Sequence, residues 1–226
     1  GRILLPLSGG RDSSYALHLS NVMNLDVVAY TYDWGLITDL ARRNISRMCG
    51  KLGVEHILVS ADIRKKRNNV KKNVEAWLKK PSLGMIPLFM AGDKQYFYYA
   101  NLIKEQMNIP LTLYGMNPLE RTDFKVGFCG INEIEEKQGK HFGLSKLNKM
   151  KMIYYYIKEF ISNPSYLNST LLDSLSAFFS YYMIKDDYEI IYNYINWNES
   201  EINNVLINNY DWEISEDCDT TWRIGD

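Results

Sequence analysis

Ser8-Gly9-Gly10-Arg11-Asp12-Ser13-Ser14 gathers three hydroxyls, two adjacent glycines and a carboxylate into seven residues. Gly9 and Gly10 allow backbone angles closed to other residues and let a ligand approach the main chain. Successive N–H groups in such a turn, with those of a helix start behind it, form an anion-binding cup. Ser8, Ser13 and Ser14 add hydroxyl donors, and Ser13 or Ser14 suits a helix cap. Asp12 does not fit a plain anion site, because a carboxylate beside phosphates is repelled unless a cation lies between them. Its presence implies Mg²⁺, a cation held by one or two carboxylates plus phosphate oxygens. Two phosphate loops are excluded: no Lys follows the glycines as G-x-x-x-x-G-K-[ST] requires, and there is no third glycine for G-x-G-x-x-G.

Such a cup needs a strand to deliver it and a helix to back it. Residues 3–7 are a short apolar run ending at the Gly-Gly turn, as a buried parallel strand would be. After it, Tyr15, Ala16, Leu19 and Val22 recur at helical spacing. A second strand is expected over 26–32, with Asp33-Trp34-Gly35 as its carboxyl-end loop, and a helix over 38–52 ended by Gly53. A third strand is expected over 56–60 and a fourth over 110–114, followed by Gly115-Met116-Asn117-Pro118-Leu119-Glu120-Arg121. This alternation predicts an α/β fold with a doubly wound, mostly parallel sheet. Ligands then sit beyond the carboxyl ends of the strands. The Asp33 loop is placed for an adenine and ribose, and Trp34 for ring stacking or simple packing.

The remaining segments carry weaker signals. Arg64-Lys65-Lys66-Arg67, with Lys71 and Lys72, reads either as a solvated helix face or as a contact for an anionic substrate. Lys80-Pro81-Ser82-Leu83-Gly84 breaks the chain; Phe97, Tyr98 and Tyr99 beyond it are expected in the core. Asp93 and Lys94 fall at a helix start, as a surface pair or beside a substrate. Cys129 lies between small residues and could face a cleft, but a nucleophilic thiol needs a depressed pKa and a partner; His141 is the nearest histidine in sequence. From 144 onward, short helices are expected over 152–161, 171–183, 188–195 and 199–209, rich in Tyr, Asn and Ile. The expected division is an α/β domain over 1–143 and a helical appendage over 144–226, with Asp217, Asp219 and Arg223 near its end.

The 226 residues carry a net charge of −1, which argues against electrostatic nucleic-acid binding by the chain as a whole. Hydrophobic residues make up 46%, enough for a sizeable core. No apolar run reaches the length of a membrane span and no signal peptide is visible. Cys49, Cys129 and Cys218 form no C-x-x-C pair, which argues against a disulfide framework and points to a reducing cytoplasm. Gly1 opens the chain with a strand under way, and Thr221-Trp222-Arg223-Ile224-Gly225-Asp226 reads as the approach to another element, so both ends look cut.

The first loop resembles the PP-loop of the N-type ATP pyrophosphatase superfamily, S-G-G-x-D-[ST], filled by Ser8, Gly9, Gly10, Asp12 and Ser13. The resemblance covers about residues 1–130 and implies the adenine nucleotide alpha hydrolase-like fold. With the Thr31-Tyr32-Asp33-Trp34-Gly35 loop, the Gly115–Glu120 loop and Gly127-Phe128-Cys129-Gly130, it extends to one branch, similar to N-acetyl sugar amidotransferases of bacterial surface-polysaccharide biosynthesis. It implies ATP contacts from Leu7, Ser8, Gly9, Gly10, Arg11, Asp12, Ser13, Ser14, Tyr32, Asp33 and Gly115. It also implies that Asp12 and Glu120 hold Mg²⁺, with Arg121 and Lys94 assisting the chemistry. The implied reaction adenylates a carbonyl or amide oxygen on a sugar or nucleotide sugar, releases pyrophosphate and lets ammonia displace AMP. A glutaminase partner would supply the ammonia, and a homo-oligomer is left open. Two rival readings are an RNA-thiolating enzyme of the same superfamily and a nucleotide-binding regulatory module without catalysis.

Overall fold

The structure is a computed structural model that describes residues 1–86, 95–117, 129, 145–182 and 187–216, with the side chains at 177, 178, 181 and 182 excepted. The chain divides into two compact units, each built from separate stretches of sequence. Unit one comprises residues 1–61, 99–121 and 187–226; unit two comprises 62–98 and 122–186.

Unit one holds the sheet. Strands β1 (Arg2–Pro6), β2 (Asp26–Asp33), β3 (Glu55–Ser60), β4 (Leu111–Tyr114) and β5 (Tyr188–Ile190) lie in the order β3-β2-β1-β4-β5, and every pairing is parallel. The α/β class with a parallel, doubly wound sheet is therefore as expected. A parallel sheet is covered on both faces, so its central strands read as continuous apolar runs. Leu4 and Leu5 of β1 and Val28 and Ala29 of β2 are fully buried accordingly.

Helix α1 (Arg11–Val22) follows β1, and α2 (Asp39–Leu52) follows β2. Thr38 caps α2 by accepting from the Ala41 N–H at 3.1 Å, and Gly53 ends it in the left-handed conformation at φ 64°. Helix α3 (Ile63–Lys79) begins unit two after Asp62 accepts the Lys65 N–H. Helix α4 (Tyr96–Met107) precedes β4.

Helix α5 (Lys146–Ser162) contains the expected 152–161 but starts earlier, α6 (Leu171–Tyr182) starts where expected, and α7 (Glu199–Tyr210) comes last. The helix expected over 188–195 is not there. Tyr188–Ile190 forms β5 and Ile191–Asn193 a single 3₁₀ turn. Tyr-Glu-Ile is a short alternating segment that pairs with Thr112–Tyr114, and Tyr188 packs edge-on to Tyr114 at 5.5 Å between ring centroids. The stretch expected as a helical appendage thus contributes the fifth strand of the sheet.

Helix α1 packs against α2 and α7. Beyond α7 the chain runs along α2, where Asn44 exchanges hydrogen bonds with the Glu213 backbone (Nδ2 to O at 2.9 Å, N to Oδ1 at 2.8 Å).

Unit two has its own core: Ala76, Met85, Cys129, Met152, Tyr156 and Tyr166 are buried together, with Trp77, Tyr155 and Phe160 packed on them. One face of α3 is polar yet buried. Lys66 pairs with Asp173, Asn69 Nδ2 donates to Asp173 at 3.0 Å, and Asn73 accepts from Thr170 at 2.6 Å. Arg64, Lys65 and Arg67 are exposed, so the basic run is a solvated face interrupted by one buried lysine.

Candidate active site

In a sheet of this order the chain leaves β1 in one direction and enters β4 from the other. The carboxyl ends of β1 and β4 flank the point where strand order reverses, and there such folds bind ligands. The loop 7–14 and the segment 115–117 occupy that position in unit one.

The loop is shaped by its glycines. Gly9 adopts φ 82°, and a Cβ there would lie 2.4 Å from the Ala41 carbonyl oxygen in the first turn of α2. Gly115 is equally confined, since a Cβ would fall 2.7 Å from the Asp12 carbonyl oxygen and 2.7 Å from Ala16 Cβ. Small residues at these positions bring the turns after β1, before α2 and after β4 into contact.

Gly10 stands before α1 and supplies no side-chain cap. Among the described residues, the N–H groups of Gly9, Asp12 and Ser13 meet no acceptor. The Ser14 N–H donates to the Gly10 carbonyl at 3.1 Å, the Gly10 N–H to Ser8 Oγ at 3.3 Å, and the Ser8 N–H to Ser13 Oγ at 3.2 Å. Ser8 and Ser13 hydroxyls are 3.0 Å apart, and Ser13 Oγ donates to the Gly10 carbonyl. Ser8 is exposed, and Gly10 and Ser13 are half-buried. Gly9 and Asp12 are buried, so the loop has three unengaged amides, two of them on buried residues, and two amides held by hydroxyls.

The other expected contacts divide. Leu7 is buried and belongs to the sheet, its N–H donating to the Tyr30 carbonyl at 2.7 Å. Ser14 is fully buried, and its hydroxyl has no partner among the described residues. Asp33 ends β2 buried: its carboxylate accepts from the Gly35 N–H at 2.9 Å and pairs with Arg42 at 2.7 Å. Tyr32 is buried against Tyr99 with ring centroids 5.1 Å apart, and Trp34 is 5% exposed, a packed ring without an open face. Lys94, Asp93, Glu120, Arg121, His141, Asp217, Asp219 and Arg223 lie outside the described residues, as does the 127–130 segment apart from Cys129.

Asp12 is held more tightly than its sequence context announces. Trp197 Nε1 donates to Oδ1 and Asn117 Nδ2 to Oδ2, both at 2.7 Å. Arg11 Nε lies 3.1 Å from Oδ1 and Arg11 Nη2 3.5 Å from Oδ2. Arg11, itself buried, also pairs with Glu199 and stacks over the Trp197 ring, 5.0 Å from its centroid. The Tyr192 hydroxyl donates to the Asp12 carbonyl at 2.8 Å. Asn117, Tyr192, Trp197 and Glu199 were not expected at the site; Asn196-Trp197-Asn198 reads in sequence as a mere break between helices.

Cys129 is 8% exposed within the core of unit two, and burial pushes its thiol up to about 11. Burial likewise pushes Cys49 up to about 11. Neither thiol has the depressed pKa that nucleophilic sulfur chemistry needs.

No protein-family model and no curated protein matches the sequence. Among solved structures, the chain is similar to an NH3-dependent NAD synthetase from Campylobacter jejuni subsp. jejuni NCTC 11168 in complex with the nitrate ion. The likeness has 15% sequence identity and a TM-score of 0.35, and covers 82% of this chain and 88% of that one. At that TM-score it carries no argument about this chain.

The unengaged amides and hydroxyls fit a polyphosphate. A direct bond from Asp12 to Mg²⁺ fits less well. A carboxylate offers about four lone-pair positions, and Arg11, Asn117 and Trp197 donate to both of its oxygens. Among the described residues no group of three His, Cys, Asp or Glu side chains is placed to hold a metal ion.

Proposed function

We propose that this chain is an ATP-using, AMP-forming enzyme in which the loop after β1 binds the departing pyrophosphate. The observation that carries this reading is the set of Gly9, Asp12 and Ser13 amides that meet no acceptor among the described residues, at the carboxyl end of β1, beside the reversal of strand order. Amides fixed by the fold and aimed at a developing anion stabilise it without reorganising at the moment of reaction.

The proposed chemistry has two steps. An amide or carbonyl oxygen of the acceptor attacks the α-phosphorus of ATP, the bond to the β-bridging oxygen breaks, and pyrophosphate leaves into the loop. Ammonia then attacks the activated carbon, and AMP departs with the oxygen. Adenylation is needed because oxygen is otherwise a poor leaving group. Lys94, Glu120 and Arg121 remain proposed participants. A sugar-linked acceptor, a role in surface-polysaccharide synthesis and a glutaminase source of ammonia rest on the resemblance of the loops alone. Burial of Cys129 disfavours the thiolating alternative.

The test is pyrophosphate release from ATP with Mg²⁺, ammonium and candidate nucleotide sugars. We expect acceptor-dependent release by the wild type and at least a hundredfold loss in Asp12→Ala. Equal release by the variant would remove Asp12 from the reaction, and no release by the wild type alongside tight ATP binding would favour a non-catalytic nucleotide-binding module.

A further inference from the structure

We infer that Trp197 and Glu199 are positioning residues of the phosphate loop, holding Asp12 and Arg11 so that Asp12 anchors the loop through N–H donors instead of contacting a metal ion. This rests on the nucleotide-binding reading above. The Asp12 carboxylate receives Trp197 Nε1 and Asn117 Nδ2 at 2.7 Å each, one on either oxygen. Its charge is balanced by buried Arg11, which Glu199 and the Trp197 ring hold in place. The same turn is gripped through its backbone by Tyr192. Asp12 sits in the first turn of α1, and its own amide is one of the three that meet no acceptor among the described residues. Fixing its side chain therefore fixes the direction of that N–H and of the Ser13 N–H beside it. The segment from the end of β5 to the first residue of α7 thus sets the geometry of a loop it does not belong to. Buried groups satisfied by several partners hold one orientation, whereas half-satisfied ones do not.

The experiment measures ATP affinity in the presence of Mn²⁺ for wild type, Trp197→Phe, Glu199→Gln, Asp12→Ala and the Trp197→Phe/Asp12→Ala double variant. Phe keeps the ring under Arg11 and removes only the donor. Glu199 is partly exposed, so its variant tests the network even where Trp197→Phe is poorly folded. Both single variants should weaken ATP binding at least fivefold. Adding Trp197→Phe to Asp12→Ala should cause no further loss, because the two act through one hydrogen bond. With ¹³C-labelled aspartate, the Mn²⁺ spectrum of the ATP complex should show no carboxylate hyperfine coupling that Asp12→Asn removes. Wild-type affinity in both single variants, or additive losses in the double variant, would overturn the positioning role. A coupling that Asp12→Asn abolishes would overturn the anchoring role. Failure of the wild type to bind ATP at all would instead defeat the nucleotide reading on which the inference stands.

Discussion

Gly9 and Gly115 are the residues at which a single methyl group is most informative. At Gly9 a side chain meets both a positive φ and the Ala41 carbonyl. We expect Gly9→Ala to cost about 1–3 kcal/mol of stability and to weaken ATP binding at least tenfold, measured by chemical unfolding and calorimetry. Gly115→Ala intrudes on the Asp12 turn and should cost a similar ~1–3 kcal/mol as overpacking. Cys129→Ala is the counter-case: pyrophosphate release should be unchanged, because a buried thiol raised to about 11 takes no part in the chemistry. A hundredfold loss there would revive the sulfur-transfer alternative.

At this scale the sequence announces the loop and conceals its support. Ser8, Gly9, Gly10, Asp12 and Ser13 lie within six positions, so their collective chemistry is readable from spacing. Asn117 and Trp197 reach Asp12 across 105 and 185 residues, and Glu199 reaches Arg11 across 188. No periodicity connects partners that only the folded sheet brings together.

Among the elements, those with local signals form where expected. Helix α2 has its Thr38 cap and its Gly53 terminus, and β1 to β4 are apolar runs between turns. Thr38→Ala should lower stability by about 1 kcal/mol, the usual worth of such a cap, without abolishing ATP binding. β5 is not legible in the sequence, because three residues of Tyr-Glu-Ile carry too little pattern to separate a strand from a helical turn. Its partner β4 decides the matter.

Two histidines tie elements together and make stability depend on pH. His18 in α1 shares a 2.7 Å hydrogen bond with the Tyr210 hydroxyl of α7, and His56 in β3 shares one of 2.8 Å with Thr31 of β2. Burial lowers the pKa of both. As pH falls below about 6.5, the ordinary histidine value, the unfolded chain takes up protons that the folded chain resists. The stability contributed by the neutral rings is therefore present above that pH and lost as pH falls toward their lowered folded values. The melting temperature should drop between pH 7 and 5, and His18→Gln with His56→Gln should flatten that part of the profile. A wild-type profile that rises toward pH 5 would contradict the burial of both rings.

For the whole molecule, the chain leaves the sheet after β3 and again after β4 to build unit two, then returns for β5 and α7. Among the described residues no helix is long and apolar enough to cross a membrane. Unit two is organised around its apolar cluster and the buried pair of Lys66 with Asp173. Burial alone would raise the Asp173 pKa, but donation from Lys66, Asn69 and Gln95 outweighs it and holds the carboxyl below its ordinary value. Lys66→Ala leaves that charge without its cation and should cost about 3 kcal/mol, the low end for breaking a buried pair, read as a lower unfolding midpoint.

The central claim is that the amides at the end of β1 take the polyphosphate of ATP. The most direct measurement is an amide-resolved titration of ¹⁵N-labelled protein with ATP. The account predicts that the Gly9, Asp12 and Ser13 N–H resonances shift most strongly and gain protection from exchange at saturation. Saturable ATP binding that leaves those three resonances unmoved would contradict it.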